Sequence, residues 1–338
     1  MHFLITGHTG FKGSWLSLLL KNKGFKVSGI SLNPDGNSLF IKAKLGEIFQ
    51  HDIRMDIREF RSLKEKILEI NPDVLIHLAA QSLVIKSYNN PQDTYETNVL
   101  GTLNVLEAGR NLKNLKAQLI VTTDKVYENN PKLRGYREED KLGGSDPYSK
   151  SKSLADEITQ LWMREIDNVP TGIARAGNVI GGGDFSENRL VPDLIKAFLE
   201  NEKPIIRNPH SIRPWQHVLD CLNGYLSFVD YLLLNQKNGI FNFGPNQEDI
   251  HKVESLVKNM AKHFNQNGEW IKDNSISPKE AEILILNSEK AKNVLNWEDK
   301  LDFEATVKWT SNWYKSVNKE NNYLEATIRD IKEFDNLK

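Results

Sequence analysis

An apolar run, His2-Phe3-Leu4-Ile5-Thr6, stops at Gly7, and glycines recur at Gly10 and Gly13 before leucines at helical spacing begin. A short run without polar alternation reads as a parallel strand buried on both faces. The turn after it, Gly7-His8-Thr9-Gly10-Phe11-Lys12-Gly13, allows the backbone to approach a pyrophosphate at a helix N-terminus. Its G-x-x-G-x-x-G spacing departs from the commonest dinucleotide fingerprint, so its place after an N-terminal strand weighs more than the glycines alone. Gly7, Gly10, Phe11 and Gly13 are therefore expected to bind a dinucleotide.

The alternation continues along the first half of the chain. Helical spacing over 15–23 leads to a strand over 25–32, a mixed-charge helix over 60–70 and a strand over 73–80. A helical period over 94–112 and a strand over 117–122 follow. Such alternation with short connections predicts an α/β fold, a Rossmann-type doubly wound parallel sheet with a smaller C-terminal substrate-binding lobe. Beyond Arg175 the cluster Gly181-Gly182-Gly183 and the prolines 192, 204, 209 and 214 predict a loop-rich lobe. The charged C-terminal stretch predicts a surface helix or a frayed tail.

Charge and cysteine content exclude other classes. Lys plus Arg number 44 and Asp plus Glu 45, a formal charge of −1, which argues against a nucleic-acid binder. One cysteine, Cys221, rules out an internal disulfide framework and a multi-thiolate zinc site, and no metal is expected. No apolar run approaches the roughly 20 residues of a membrane span, and no basic leader precedes an apolar stretch at the N-terminus. A soluble, cytoplasmic protein without a membrane partner is expected.

Two further carboxylate questions concern the dinucleotide. An acid usually ends the second strand to hold the ribose, but here Asn33 stands in that region, leaving NAD versus NADP open. Asp56, after a probable third strand, suits the adenine amino group, or else forms an ordinary solvated turn.

Chemistry is concentrated in two segments. Tyr148 and Lys152 lie four residues apart on one helical face. A phenol that titrates near 10 is a poor base unless a cation stabilises its anion, and Lys152 can supply that charge. About one strand-to-helix connection earlier, Thr123, Asp124 and Lys125 follow a strand, where open α/β sheets place their ligands. Thr123 can share a proton with Tyr148, while Asp124 and Lys125 put an acid and a base at the same strand end.

These residues carry a resemblance. The chain resembles the extended short-chain dehydrogenases/reductases and, more narrowly, the bacterial CDP-glucose 4,6-dehydratases. The matching segments are TGHTGFKG from Thr6, HLAAQ from His77, TNVLGT from Thr97, TTDKVYEN from Thr122, GYREED from Gly135 and GGSDPYSKSK from Gly143. RAGNVIGGGD from Arg175, IRNPHSIRPWQHVL from Ile206 and NFGPN from Asn242 extend the match over roughly residues 1–315. The resemblance implies NAD as cofactor, held also by Ile57, Leu78, Ala79, Ala80 and Asn98. It implies an NAD-binding domain over 1–177, joined by a segment near 215–245, and a sugar-nucleotide-binding lobe over 178–214 and 246–338. A homodimer, or dimer of dimers, paired through segments near 94–112 and 148–163 is implied as well.

The implied reaction oxidises carbon 4 of a nucleotide-linked glucose, eliminates water across carbons 5 and 6, and returns hydride to carbon 6. Tyr148 and Thr123 would serve carbon 4, Lys125 would take the carbon-5 proton, and Asp124 would protonate the leaving hydroxyl. An ordinary ammonium and carboxyl have the wrong charges for this at pH 7, so proton exchange within the pair is required. The two phosphates of the substrate call for arginine's planar fork: Arg213 first, then Arg189 and Arg207, with Asn178 matching a pyrophosphate-contacting asparagine and Glu280 placed near the nucleotide. A sugar-nucleotide 4-epimerase on the same scaffold is the alternative, although it has no use for Asp124 and Lys125. A cofactor-sensing regulator is disfavoured because Tyr148 and Lys152 are both present.

Overall fold

The computed structural model describes residues 1–110, 112–130, 134–166, 169–246, 249–273 and 281–337. Strands β1 (His2–Thr6), β2 (Lys26–Ser31), β3 (Asp52–Arg54), β4 (Val74–His77), β5 (Ala117–Thr123), β6 (Thr171–Ala176) and β7 (Gly239–Phe243) form one sheet. Its order is β7-β6-β5-β4-β1-β2-β3 and every pairing is parallel. The apolar runs form strands because both faces are covered. Ile5 packs into a core with Trp15 and Leu19, while its neighbour Leu4 packs on the other face with Leu63 and Ile67, as alternate side chains of a strand must.

The order of connection reverses between β1 and β4, both hydrogen-bonded neighbours in the sheet, with Thr6 opposite His77. That reversal opens a crevice at the C-terminal strand ends, where α/β sheets take ligands. The helix after β1, α1 (Phe11–Asn22), begins four residues before the leucine pattern does. Its first turn carries Gly13, whose low helix propensity hides the start. A Cβ there would lie 2.2 Å from the carbonyl oxygen of Gly7, so glycine is what lets the helix begin so close to the turn.

The helical stretch expected over 94–112 is a rod in three parts: Pro91–Tyr95, a π-helical turn over Glu96–Leu100 and Gly101–Gly109. Such turns recur at functional sites, and this one carries Asn98. The catalytic-candidate segment forms α2 (Pro147–Glu165), N-capped by Asp146, which accepts from the Ser149 amide at 2.9 Å.

The C-terminal part is richer in helix than the prolines suggest. Leu190–Leu199, α3 (Val218–Asn235), Val253–His263 and Phe303–Glu320 are all helical. Pro192 sits in the first turn of its helix, where the missing amide costs nothing, and the others fall between elements. The final helix, Tyr323–Asn336, buries Ala326, Thr327, Ile331 and Phe334. That spacing marks one packed face, so the charged tail is docked rather than frayed. Among the described residues no helix is long and apolar enough to cross a membrane.

Candidate active site

The cofactor cleft is walled by the glycine turn and by the end of β4. Gly7 has φ +77°, and a Cβ on it would lie 2.7 Å from the Ala79 amide nitrogen. Only glycine combines that backbone with that approach. Leu78, Ala79 and Ala80 line the opposite wall half-buried. Gly10 caps α1 with no side chain of its own, and Phe11 follows it, half-buried. The free amides at this helix end suit an anion, so the cradle fits the pyrophosphate of a dinucleotide.

Other expected cofactor contacts are less direct. Asn98 is 1 % exposed and its amide group is used inside the protein. It accepts from the Gln81 amide at 2.8 Å and donates to Ser151 Oγ at 2.9 Å, tying the β4 end to α2. Asp56 is held by Arg58, whose Nε and Nη2 donate at 2.9 and 2.6 Å, and this keeps its carboxyl below the usual range. Ile57 is buried against Gly101. Asn33 is exposed past the end of β2, which closes instead with Ser31 Oγ 2.7 Å from Thr9 Oγ1.

Thr123, Asp124 and Tyr148 meet at the end of β5. Thr123 caps a single 3₁₀ turn over Asp124–Val126, and its hydroxyl donates to Asp124 Oδ1 at 2.9 Å. The buried Tyr148 phenol lies by the same hydroxyl, which favours its ionised form, but burial outweighs this and pushes its pKa up to about 12. Asp124 is 2 % exposed, and burial raises its carboxyl above the ordinary value against the pull of Lys125, Thr123, Arg213 and Lys12. Its Oδ2 is buried with no hydrogen-bond partner among the described residues. A carboxyl in that setting favours the protonated form, with the proton on the unpartnered oxygen.

Lys152 has a backbone partner in this structure. Its ammonium donates to the Val121 carbonyl at 2.9 Å, and burial lowers its pKa to about 8. The groups that favour the Tyr148 phenolate are the Thr123 hydroxyl and the Arg189 guanidinium. Spacing of four residues puts two side chains on one face, but a four-carbon stem in a desolvated site takes the nearest acceptor.

Lys125 lines an open cavity with Arg213, Tyr136, Asn129, Ser145 and Ser149. Arg213 is 5 % exposed and donates to the Ile212 carbonyl at 2.9 Å. Arg189 sits nearer Tyr148, anchored by Asp184 at 3.0 Å and Ser82 at 2.8 Å. Arg207 is half-exposed against the Asn188 carbonyl, next to that same segment. Asn178 lies on a short strand, Asn178–Ile180, paired with Trp215–His217. Glu280 lies outside the described residues.

The profile of the GDP-mannose 4,6 dehydratase family matches residues 4–310. The chain belongs to this family. Over 98% of its length it is 39% identical to a CDP-glucose 4,6-dehydratase of Salmonella typhimurium (strain LT2), of which it covers 95%. Among solved structures it is similar to a UDP-glucose 4-epimerase from Thermotoga maritima with UDP-glucose: TM-score 0.84, 22% identity, 94% of this chain and 100% of that one. A dTDP-glucose 4,6-dehydratase from Bacillus anthracis in complex with NAD has TM-score 0.79 and 24% identity, covering 97% of this chain and 99% of that one. Both share the parallel sheet and its flanking helices.

Within this dehydratase-family site, one group escaped the sequence reading. Arg175 and Asp156, both fully buried, form a two-pronged pair at 2.9 and 2.7 Å. Asp156 also accepts from Thr122 at 3.0 Å, and Arg175 donates to the Tyr127 hydroxyl at 2.9 Å. Tyr127 in turn donates to Asn242 at 2.6 Å and stacks on Tyr136. The network fixes α2 to β5 directly behind the Thr123–Asp124 turn. Asp156 lies four residues past Lys152 on the same helical face, which was the available signal.

Proposed function

We propose that this chain is a nucleoside-diphosphate-sugar 4,6-dehydratase that converts CDP-glucose to the 4-keto-6-deoxy sugar. One observation carries the reading: the Tyr148 phenol, the Thr123 hydroxyl and the buried Asp124 carboxyl come together beside a cavity lined by Lys125 and Arg213. NAD, bound in the Gly7, Gly10 and Gly13 cradle, would accept hydride from carbon 4 and return it to carbon 6. Tyr148 takes the proton of the carbon-4 hydroxyl while Thr123 holds that oxygen. Lys125, when neutral, removes the carbon-5 proton acidified by the new ketone. Asp124, made neutral by proton exchange with Lys125, gives its proton to the departing carbon-6 hydroxyl; Lys125 returns the carbon-5 proton as hydride reaches carbon 6, and the proton taken by Tyr148 replaces the one Asp124 lost. Arg213, with Arg189 and Arg207, clamps the diphosphate.

In this reading residues 1–177 and a returning segment near 215–245 hold the cofactor, and 178–214 with 246–338 hold the sugar nucleotide. The choice of cytidine follows the Salmonella relative. Leu100 and Leu161, 52% and 47% exposed on the two helical segments, support a homodimer or dimer of dimers, in the cytoplasm. Turnover measured with CDP-, dTDP-, GDP- and UDP-glucose tests the assignment. A 4-keto-6-deoxy product from CDP-glucose is expected; an epimerised hexose, or no product from any of the four, overturns it.

A further inference from the structure

Lys12 violates a local rule of helix chemistry. It is the second residue of α1, where the positive end of the helix repels a cation, and no acidic residue shares that first turn. The side chain is nevertheless half-buried and reaches inward. Its ammonium lies 3.2 Å from the hydroxyl of Tyr225 on α3 and 5.6 Å from the centre of that ring. From there its charge acts on Lys152 and on Asp124, the groups at the end of β5.

Its hydrogen-bond partner is thus a neutral phenol, and one of its charged neighbours is a second buried cation. The carboxyl within reach is Asp124, whose burial favours the neutral form. Packing offers no reason to keep a lysine there, since an apolar side chain would meet Tyr225 as well. Local conflicts of this kind are retained where function needs them. The missing element is an anion, and the turn that carries Lys12 is shaped to receive one.

We propose that Lys12 is a binding residue for the cofactor's pyrophosphate, its ammonium adding a full positive charge to the backbone cradle of the 7–13 turn. This rests on the turn holding a dinucleotide. Binding of NAD+, ADP-ribose and CDP to the full chain, freed of any copurified cofactor, tests it by calorimetry. ADP-ribose carries the same diphosphate without the nicotinamide, and CDP stands for the substrate's diphosphate.

Lys12→Met should weaken NAD+ and ADP-ribose alike by about ten- to a hundredfold, the worth of one charge-assisted contact, and leave CDP unchanged. Lys12→Arg should restore most of the loss. Tyr225→Phe, which removes the phenol and keeps the ammonium, should keep both affinities. Unchanged dinucleotide affinity with a lower melting temperature in Lys12→Met overturns the proposal, because Lys12 then only ties α1 to α3. Loss of CDP binding without loss of ADP-ribose binding overturns it too. A wild-type chain that binds neither NAD+ nor ADP-ribose overturns the dinucleotide reading itself, and this control separates the two failures.

Discussion

Asp124→Asn should divide the proposed reaction in two. The carboxyl is 2 % exposed, accepts from Thr123 at 2.9 Å through Oδ1, and has a buried Oδ2 without a partner among the described residues. Burial raises its pKa, so an amide of the same shape replaces a group that is already inclined to be neutral. The Thr123 bond survives, and stability should move by no more than about 1 kcal/mol. What disappears is the proton for the departing hydroxyl. General-acid assistance contributes about 10²–10⁴ in rate, or about 3–5 kcal/mol of barrier, and turnover should fall by that factor. Oxidation at carbon 4 needs Tyr148, and exchange at carbon 5 needs Lys125. Oxidation should therefore persist and reduced cofactor should accumulate, while solvent deuterium should enter carbon 5 more slowly, because Lys125 loses the carboxylate that accepts its proton. Rapid-mixing absorbance and mass spectrometry of the recovered sugar nucleotide read the two quantities. A fall in turnover of less than about tenfold, or no accumulation of reduced cofactor, refutes the acid role.

Three other outcomes test the frame around that site. Arg175→Met strands the fully buried Asp156 carboxylate and should cost about 3–5 kcal/mol in denaturant unfolding; adding Asp156→Leu should recover most of it, and a single-variant cost near zero would show the pair to be dispensable. Gly7→Ala forces a Cβ to within 2.7 Å of the Ala79 nitrogen at φ +77°, so NAD+ affinity should drop more than about tenfold, and undiminished binding would place the dinucleotide elsewhere. Burial pushes Asp299 up to about 6, so the folded chain keeps a proton that the unfolded chain releases between about pH 4 and 6. Stability should therefore fall as pH rises through that window, and Asp299→Asn should be more stable than the parent at pH 8 by about 1–2 kcal/mol, with no gain near pH 4; equal unfolding curves at both pH values would contradict the cause.

What could be read from the chain alone follows how local each cause is. β1, β4 and β5 are legible because parallel strands buried on both faces are continuous apolar runs, and Gly7 is legible because a strand-ending glycine before a helix has one common use. The start of α1 is not, since Gly13 serves a close approach that only the folded turn reveals. The Arg175–Asp156 pair joins α2 to β6, and no local pattern announces a partner on another element. Lys152 shows a different limit: the helix period fixes its face but not the end point of its flexible stem, which β5 captures through Val121. The engagement of Asp56 by Arg58 lies only two residues away in sequence, yet a carboxylate two residues before an arginine is too common a pattern to exclude a ligand contact.

Thr123 has one hydroxyl proton and two acidic neighbours, and this explains why the acid and the phenol share a residue. At rest that proton goes to Asp124 Oδ1, so it is not available to the Tyr148 oxygen. Once Tyr148 becomes a phenolate, the stronger acceptor lies on its side, and a rotation about the Thr123 side chain transfers the hydrogen bond there. The move is easiest when Asp124 is protonated, because a neutral carboxyl oxygen holds a donor less strongly than a carboxylate does. In the proposed reaction, burial of Asp124 would serve two steps, keeping a proton ready for the leaving hydroxyl and freeing Thr123 to stabilise the ionised phenol. An exposed aspartate at the same place would be ionised, would retain the Thr123 proton, and would repel the phenolate that the first step requires.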